Sequence, residues 1–187
     1  MSPIHRQFEQ TLALNCAPSL AGIKPADLIS WIPPEQGGDA LLSYYARPLT
    51  RCGICLQVLA ANPARRLLLV FRPRQLELWL AQPAVSAMLE RVGYPVGHGT
   101  QVLLRHLSAR LQENDFPHEI GLFLGYPPED VAGFMRDGGR NCKLCGPWKA
   151  YGDVQAATHR FARFRRCRNA MCSRISQGIP LARVLSA

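Results

Sequence analysis

The chain has 187 residues, 48% of them hydrophobic, and a formal net charge of +9. This composition is typical of a folded protein with a sizeable core and excludes an intrinsically disordered chain. The longest uninterrupted apolar run, residues 67–71, is too short to span a bilayer, and no secretory signal precedes it; we therefore expect a soluble cytoplasmic protein without a membrane partner, whose seven cysteines stay reduced.

The first half of the chain predicts two helices and three strands. The spacing of Ile4, Phe8 and Leu12 is helical, and we expect this helix to end near residue 15 because the residue before Pro18 avoids the helical region. The other predicted elements are a strand, a second helix and the two strands of a hairpin, at residues 26–32, 39–47, 54–60 and 66–72.

The second half alternates predicted helices and strands. Helices are expected at 73–92 with a break at Pro83, at 100–113, at 128–136 and at 153–177; strands are expected at 119–124 and 147–151. Alternation with one hairpin predicts an α/β or α+β fold: a single mixed sheet of about four to five strands packed with helices, and a long C-terminal helix.

Positive charge is concentrated at the C-terminal end. No acidic residue follows Asp153, whereas seven arginines do. This asymmetry favours an anionic partner, either nucleic acid, a phosphate-bearing ligand or an acidic protein, although a solvated basic face is the simpler alternative. Nucleic acid is disfavoured, because no recognised binding pattern is present and Phe161 and Phe164 lie on the predicted core side of the helix.

Residues 116–151 concentrate the side chains that could carry chemistry. His118 and Glu119 begin a predicted strand, where alternation places them on opposite faces. One of them is a candidate general base or metal ligand. The alternative is a partly buried histidine beside a surface or capping carboxylate.

Cys142 and Cys145 form a Cys-x-x-Cys pair followed by Gly146, the form of a metal knuckle. With His118 they are candidate ligands for zinc or iron, and without metal they are a candidate redox pair. A four-thiolate site that includes Cys52 and Cys55 is disfavoured by the long intervening sequence. Packing of the thiols in the core is the remaining alternative.

Cys16 is a second candidate for thiol chemistry. It is predicted to lie in a loop before Lys24, where its pKa could be lowered enough for nucleophilic attack. In that hypothesis His118 is the base, and Glu119 or Asp130 orients it. The hypothesis requires the fold to bring these residues together.

Four segments resemble an uncharacterised bacterial family, domain of unknown function 3793. They are CAPSLAGIK at 16–24, FPHEIGLFLGYP at 116–127, DVAGF at 130–134 and the block from Cys142 to GPWKAY at 146–151. The length of the chain predicts a single domain over 1–187. Within it, the resemblance implies a family-like core at about 6–177 and a short C-terminal tail at 178–187. It implies that Cys16, His118, Glu119, Gly125, Asp130 and Trp148 occupy family motif positions.

Members of this family occur mostly in anaerobic bacteria, and the resemblance implies no particular reaction. The leading hypothesis is a thiol and imidazole site that binds a metal or a redox partner protein in anaerobic metabolism. A cysteine-nucleophile enzyme acting on a small molecule is the second hypothesis. A basic module that binds nucleic acid or an acidic protein is the third.

Overall fold

The computed structural model describes residues 2–186, which form nine helices and five strands. The helices are α1 (Pro3–Leu20), α2 (Gly38–Arg51), α3 (Pro73–Leu80), α4 (Pro83–Arg91), α5 (Thr100–Arg110), α6 (Ile120–Phe123), α7 (Pro128–Asp137), α8 (Val154–Ser176) and α9 (Leu181–Leu185). The strands are β1 (Ala26–Trp31), β2 (Cys55–Ala61), β3 (Arg66–Phe71), β4 (Leu144–Cys145) and β5 (Lys149–Ala150). No helix in this part of the chain is long and apolar enough to cross a membrane.

The chain divides into two compact units. Unit 1 consists of Met1–Pro73 and Phe164–Ala187, and unit 2 consists of Arg74–Arg163. One boundary lies inside α8, so this helix contributes its first part to unit 2 and its second part to unit 1. The single domain expected from the sequence stays a prediction.

Unit 1 is built on an antiparallel sheet in the order β1-β3-β2. The central strand β3 pairs Phe71 with Ala26 on one side and with Cys55 on the other. Its residues 68–71 are buried because β3 has a strand on each side and α1 packs against it. Burial of each such apolar side chain stabilises the fold by about 1.5–3 kcal/mol.

Helix α1 does not end before Pro18, as the sequence predicted, but continues to Leu20. Cys16, Ala17 and Leu20 in its last turns are completely buried. Burial of this apolar face outweighs the backbone hydrogen bond that proline cannot donate, since the loss falls in the final turn of the helix. The predicted loop around Cys16 is therefore helical.

A buried carboxylate ties the end of the chain into unit 1. Glu9 is 3% exposed and accepts hydrogen bonds from the Tyr45 hydroxyl at 3.0 Å and from the Leu181 amide at 3.0 Å. Leu181 is the first residue of α9 and is completely buried. The residues expected to form a C-terminal tail thus contain a short helix that contributes to the core.

In unit 2, the prediction that residues 119–124 form a strand is wrong. Ile120–Phe123 is instead a helical turn, α6, and all four of its residues are buried. An apolar run of this length carries no periodicity that separates a buried strand from a buried helical turn. The indole nitrogen of Trp79 donates to the Leu122 carbonyl at 2.6 Å, which fixes the turn against α3.

The predicted fold class is confirmed: the chain mixes helices with a small number of strands and has a long C-terminal helix. The hairpin of β2 and β3 and the break between α3 and α4 lie where the sequence predicted them. The expectation of one mixed sheet is corrected. Within residues 2–186 the strands are antiparallel and form a three-stranded sheet and a separate β4–β5 ribbon, and the segment expected to supply a further strand is helical.

Candidate functional site

Asp130 organises the part of unit 2 that holds most of the candidate residues. It lies in the first turn of α7, is 3% exposed, and accepts a hydrogen bond from the Trp148 indole nitrogen at 2.7 Å. The amides of Tyr151 and Gly152 donate to its other oxygen at 2.7 and 2.8 Å. Hydrogen bonds to a charged group contribute about 1.5–3 kcal/mol each, so Asp130 firmly fixes the residues around β5. Its role here is that of a structural anchor.

Two glycines allow close packing around this anchor. A Cβ at Gly133 would lie 2.3 Å from the Tyr151 ring, and a Cβ at Gly146 would lie 2.2 Å from the Phe161 ring. Real side chains do not approach so closely, so both positions require glycine. The β4–β5 turn therefore rests directly on an aromatic ring of α8.

A cavity of about 300 Å³ lies next to Asp130. Tyr126 stacks on Trp148 with ring centroids 4.9 Å apart, and both line the cavity. His118 and Phe134 also line it and pack edge to face at 4.8 Å. The volume is at the lower end of the range for small-molecule sites, which are mostly apolar with few polar groups.

Besides the polar atoms of Tyr126 and Trp148, the cavity wall contains three side chains that can carry charge, those of His118, Asp130 and Lys149. His118 is exposed to solvent, whereas both oxygens of Asp130 are engaged by Trp148 and by backbone amides. The ammonium of Lys149 donates to the Gly139 carbonyl. Of these three side chains, the ammonium has further protons to donate beyond its bond to Gly139, and the imidazole has ring nitrogens that can donate or accept, so both are suited to bind a ligand.

The β4–β5 ribbon brings two thiols together. The Sγ atoms of Cys142 and Cys145 are 3.1 Å apart, and both residues are free thiols. Pairing of Cys145 with Lys149 across the ribbon and the hydrogen bond from the Gly146 amide to the Trp148 carbonyl hold the turn closed. The ribbon therefore positions Cys145 one residue before the wall of the aromatic cavity.

The two thiols differ in exposure and in electrostatics. Cys145 is exposed, and Cys142 is partly buried. The pKa of Cys142 is raised, first by its hydrogen bond with Cys145 and then by desolvation and the charge of Cys145, while Lys149 acts in the opposite direction. Cys142 therefore stays protonated to higher pH than an ordinary thiol, and its hydrogen bond with Cys145 is the main cause.

His118 and Glu119 are separated by burial, although not by the predicted strand. Glu119 is 2% exposed, pairs with the Arg110 guanidinium at 3.2 Å, and accepts a hydrogen bond from the Tyr94 hydroxyl at 3.1 Å. Desolvation and then the Glu119 charge raise the pKa of Tyr94. Glu119 has internal partners and supports the fold, whereas His118 faces the cavity.

Cys16 lies in unit 1, whereas His118, Glu119 and Asp130 lie in unit 2. Its thiol is completely buried in the core, and desolvation raises its pKa well above the ordinary value. Asp27 raises this pKa further, and Lys24 acts against it. Lys24 itself forms an ion pair with Asp27 at 2.7 Å. These surroundings oppose the ionisation that a nucleophilic thiol needs.

The predicted zinc or iron requires a cluster of side chains that could bind it. Within residues 2–186, no three side chains of His, Cys, Asp and Glu form a group that could hold a metal ion. The structure thus does not gather Cys142, Cys145 and His118 into one ligand set. Cys52 and Cys55 lie in unit 1, where Cys52 directly follows the last residue of α2 and Cys55 begins β2.

Tyr126, Phe134 and Lys149 line the cavity but were not among the residues singled out from the sequence. Tyr126 follows Gly125 in a Gly-Tyr-Pro-Pro turn, and Lys149 directly follows Trp148 in the family-like block. Aromatic side chains on short loops between short elements are the signal that could have indicated them.

This geometry defines the class: a mixed α/β protein with a dithiol ribbon next to a small aromatic cavity. The family model described as "Protein of unknown function (DUF3793)" matches residues 12–185, nearly the whole chain, and the chain belongs to this family. The resemblance drawn from the sequence motifs is therefore confirmed. No curated protein and no solved structure matches the chain.

Proposed function

We propose that Cys142 and Cys145 form a thiol–disulfide exchange site that passes two electrons to a disulfide-bearing partner. The observation that carries this proposal is the 3.1 Å separation of the two Sγ atoms on the ribbon. A disulfide requires about 2.05 Å between the sulfurs, so ring closure requires a movement of about 1 Å.

The reaction proceeds in two exchange steps. The thiolate of Cys145 attacks one sulfur of the partner disulfide, whose S–S bond breaks, and the departing thiolate takes up a proton. Cys142 then loses its proton to solvent and attacks the Cys145 sulfur of the mixed disulfide. The second partner thiol departs, the protein dithiol has lost two electrons and two protons, and the partner disulfide has been reduced.

The environment of each thiol supports this order of attack. Cys145 is exposed and reaches a partner directly, whereas the raised pKa of Cys142 keeps that thiol protonated until the mixed disulfide has formed. Lys149 lowers the pKa of Cys142, but the hydrogen bond with Cys145 and desolvation raise it by more. Cys145 is therefore the attacking group and Cys142 the resolving group.

The setting that fits this chemistry is a reducing compartment, which returns the disulfide to the dithiol. We place the protein in the cytoplasm, with a redox protein as its partner, and associate it with anaerobic metabolism as the family resemblance implied. An acidic partner surface complements the net charge of +9. Binding of zinc or iron by Cys142, Cys145 and His118 stays a prediction.

Serine variants test the proposal through the mixed disulfide. The reduced protein is mixed with oxidised glutathione and analysed by intact mass. Cys142→Ser lacks the resolving thiol, so we expect it to accumulate a glutathione adduct on Cys145. Cys145→Ser lacks the attacking thiol, and we expect at least a tenfold slower reaction at this ribbon.

The matched control is Cys52→Ser, another variant of a partly buried cysteine in a Cys-x-x-Cys sequence. It should behave like the wild type at the ribbon. Equal adduct formation in the wild type and in Cys142→Ser would show that Cys142 does not resolve a mixed disulfide and would overturn the proposal.

A further inference from the structure

We infer that the cavity of unit 2 binds a planar aromatic molecule that carries an anionic group. This inference is independent of the thiol chemistry proposed for Cys142 and Cys145, because it rests on the cavity wall alone. Nothing in the exchange reaction requires a cavity ligand, so each proposal can fail without the other.

The shape and composition of the cavity select a flat ring. Its volume of about 300 Å³ suits a ligand of one or two rings and not a large cofactor. The stacked pair of Tyr126 and Trp148 and the edge-to-face pair of His118 and Phe134 both line it. Aromatic surfaces bind a planar ring by offset stacking or edge contact, worth about 0.5–1.5 kcal/mol beyond the apolar area buried.

The polar groups of the cavity select the charge. Both oxygens of the Asp130 carboxylate already accept hydrogen bonds, one from the Trp148 indole and the other from the amides of Tyr151 and Gly152. Lys149 contributes a positive charge. His118 contributes a ring N–H that can donate a hydrogen bond to a carboxylate. A carboxylate or sulfonate on the ring therefore has partners at this site in Lys149 and His118, whereas the oxygens of Asp130 are already engaged.

The cavity is also rigid enough to be a preformed site. Asp130 fixes Trp148 at 2.7 Å, and Gly146 allows the ribbon to rest on Phe161, whose ring packs on Trp148 edge to face at 4.5 Å. A ligand that enters therefore does not have to order these rings, which reduces the entropic cost of binding.

Three small probes test ring and charge separately. They are 2-naphthoate, its neutral analogue 2-naphthamide, and cyclohexanecarboxylate, which keeps the charge and lacks the ring. Binding is followed in the isotope-labelled full chain through the NMR signal of the Trp148 indole N–H. We expect 2-naphthoate to shift this signal and to bind in the millimolar range or more tightly, about three- to tenfold tighter than 2-naphthamide. Cyclohexanecarboxylate should produce no shift at the same concentration.

Lysine variants locate the charge that is recognised. Lys149→Met should reduce 2-naphthoate affinity to that of 2-naphthamide, and Lys149→Arg should keep the preference. The control is Lys143→Met, which removes an exposed lysine of the same ribbon region that does not line the cavity.

Measurements on the wild-type protein alone can overturn the inference, so the test does not depend on any variant being folded. Equal affinities for 2-naphthoate and 2-naphthamide would overturn the anionic part of the inference. Absence of a Trp148 shift with either naphthalene probe would overturn the inference as a whole. Oxidation of Cys142 and Cys145 to a disulfide in the glutathione experiment bears on the thiol proposal only.

Discussion

The thiols of the two units lie in opposite environments. Cys16 in unit 1 is completely buried in the core, and desolvation raises its pKa well above the ordinary value. In unit 2, Cys145 is exposed on a short ribbon and Cys142 just before it is partly buried, with their sulfurs 3.1 Å apart. Both regions are family-like segments, and both contain a cysteine next to residues that suggest catalysis. The packing around a thiol, more than the sequence motif that contains it, therefore governs whether the thiol can react.

The largest expected effect is a difference in alkylation rate. Cys145 should react with iodoacetamide at a rate typical of an accessible thiol, whereas Cys16 can react only after local or global opening of unit 1. Opening of a core residue costs several kcal/mol, so we expect Cys16 to react at least about 10³-fold more slowly. Peptide mapping by mass spectrometry measures both rates in one sample. Comparable rates would show that the two environments are not distinct.

Removal of the Asp130 carboxylate should have the next largest effect. Asp130→Ala leaves the Trp148 indole and the amides of Tyr151 and Gly152 without their acceptor. We expect the free energy of unfolding to fall by about 3 kcal/mol or more, since each buried donor left unsatisfied costs about 1–3 kcal/mol. Denaturant titration measures the loss, and Glu129→Ala, an exposed neighbour, is the control. A loss below about 1 kcal/mol would mean that Asp130 does not anchor the ribbon.

A methyl group at Gly146 tests whether the ribbon rests on α8. The added Cβ would lie 2.2 Å from the Phe161 ring, so Gly146→Ala should lower the free energy of unfolding by about 1–3 kcal/mol through overpacking. Because the clash needs both partners, the combination with Phe161→Leu should cost less than the sum of the two single variants. Strict additivity in this double-mutant cycle would contradict the contact.

The pH dependence of stability should reveal the buried thiol of unit 1. The pKa of Cys16 is raised in the folded state, so its contribution is fully present below the ordinary thiol pKa of about 8.5 and is lost as pH rises above it. From pH 8.0 to 9.5, the free energy of unfolding should fall by about 1 kcal/mol more in the wild type than in Cys16→Ala. Parallel pH profiles would show that Cys16 is accessible to solvent in the folded protein.

Local signals in the sequence predicted most of the secondary structure. The hairpin of β2 and β3 was predicted from the turn at Asn62-Pro63, and the structure shows the reason: the Asn62 side chain accepts hydrogen bonds from the amides of Ala64 and Arg65. Such signals are contained within a few residues, so they can be read without knowledge of the rest of the fold.

The predictions failed where distant contacts decide the local structure. Proline at position 18 predicted the end of α1, but burial of Cys16 and Leu20 in the core extends the helix. Likewise, Ile120–Phe123 forms a helical turn because its side chains are enclosed on all sides, a property that a short apolar run does not reveal.

The candidate site shows the same division. The closeness of Cys142 and Cys145 follows from their spacing and from Gly146, so the sequence could indicate a thiol pair. The cavity could not be predicted, because Tyr126 and Trp148 come together only through the hydrogen bond between Asp130 and the Trp148 indole and the packing around it.

A redox titration of the dithiol tests the central proposal most directly. The protein is equilibrated in glutathione buffers from about −150 to −300 mV, quenched by alkylation, and mapped by mass spectrometry. We predict a single two-electron transition in which Cys142 and Cys145 lose their reactivity together and gain a disulfide, while Cys16 stays reduced throughout. If Cys142 and Cys145 are both recovered as alkylated thiols at every potential, the pair is not a redox site and the proposed function is wrong.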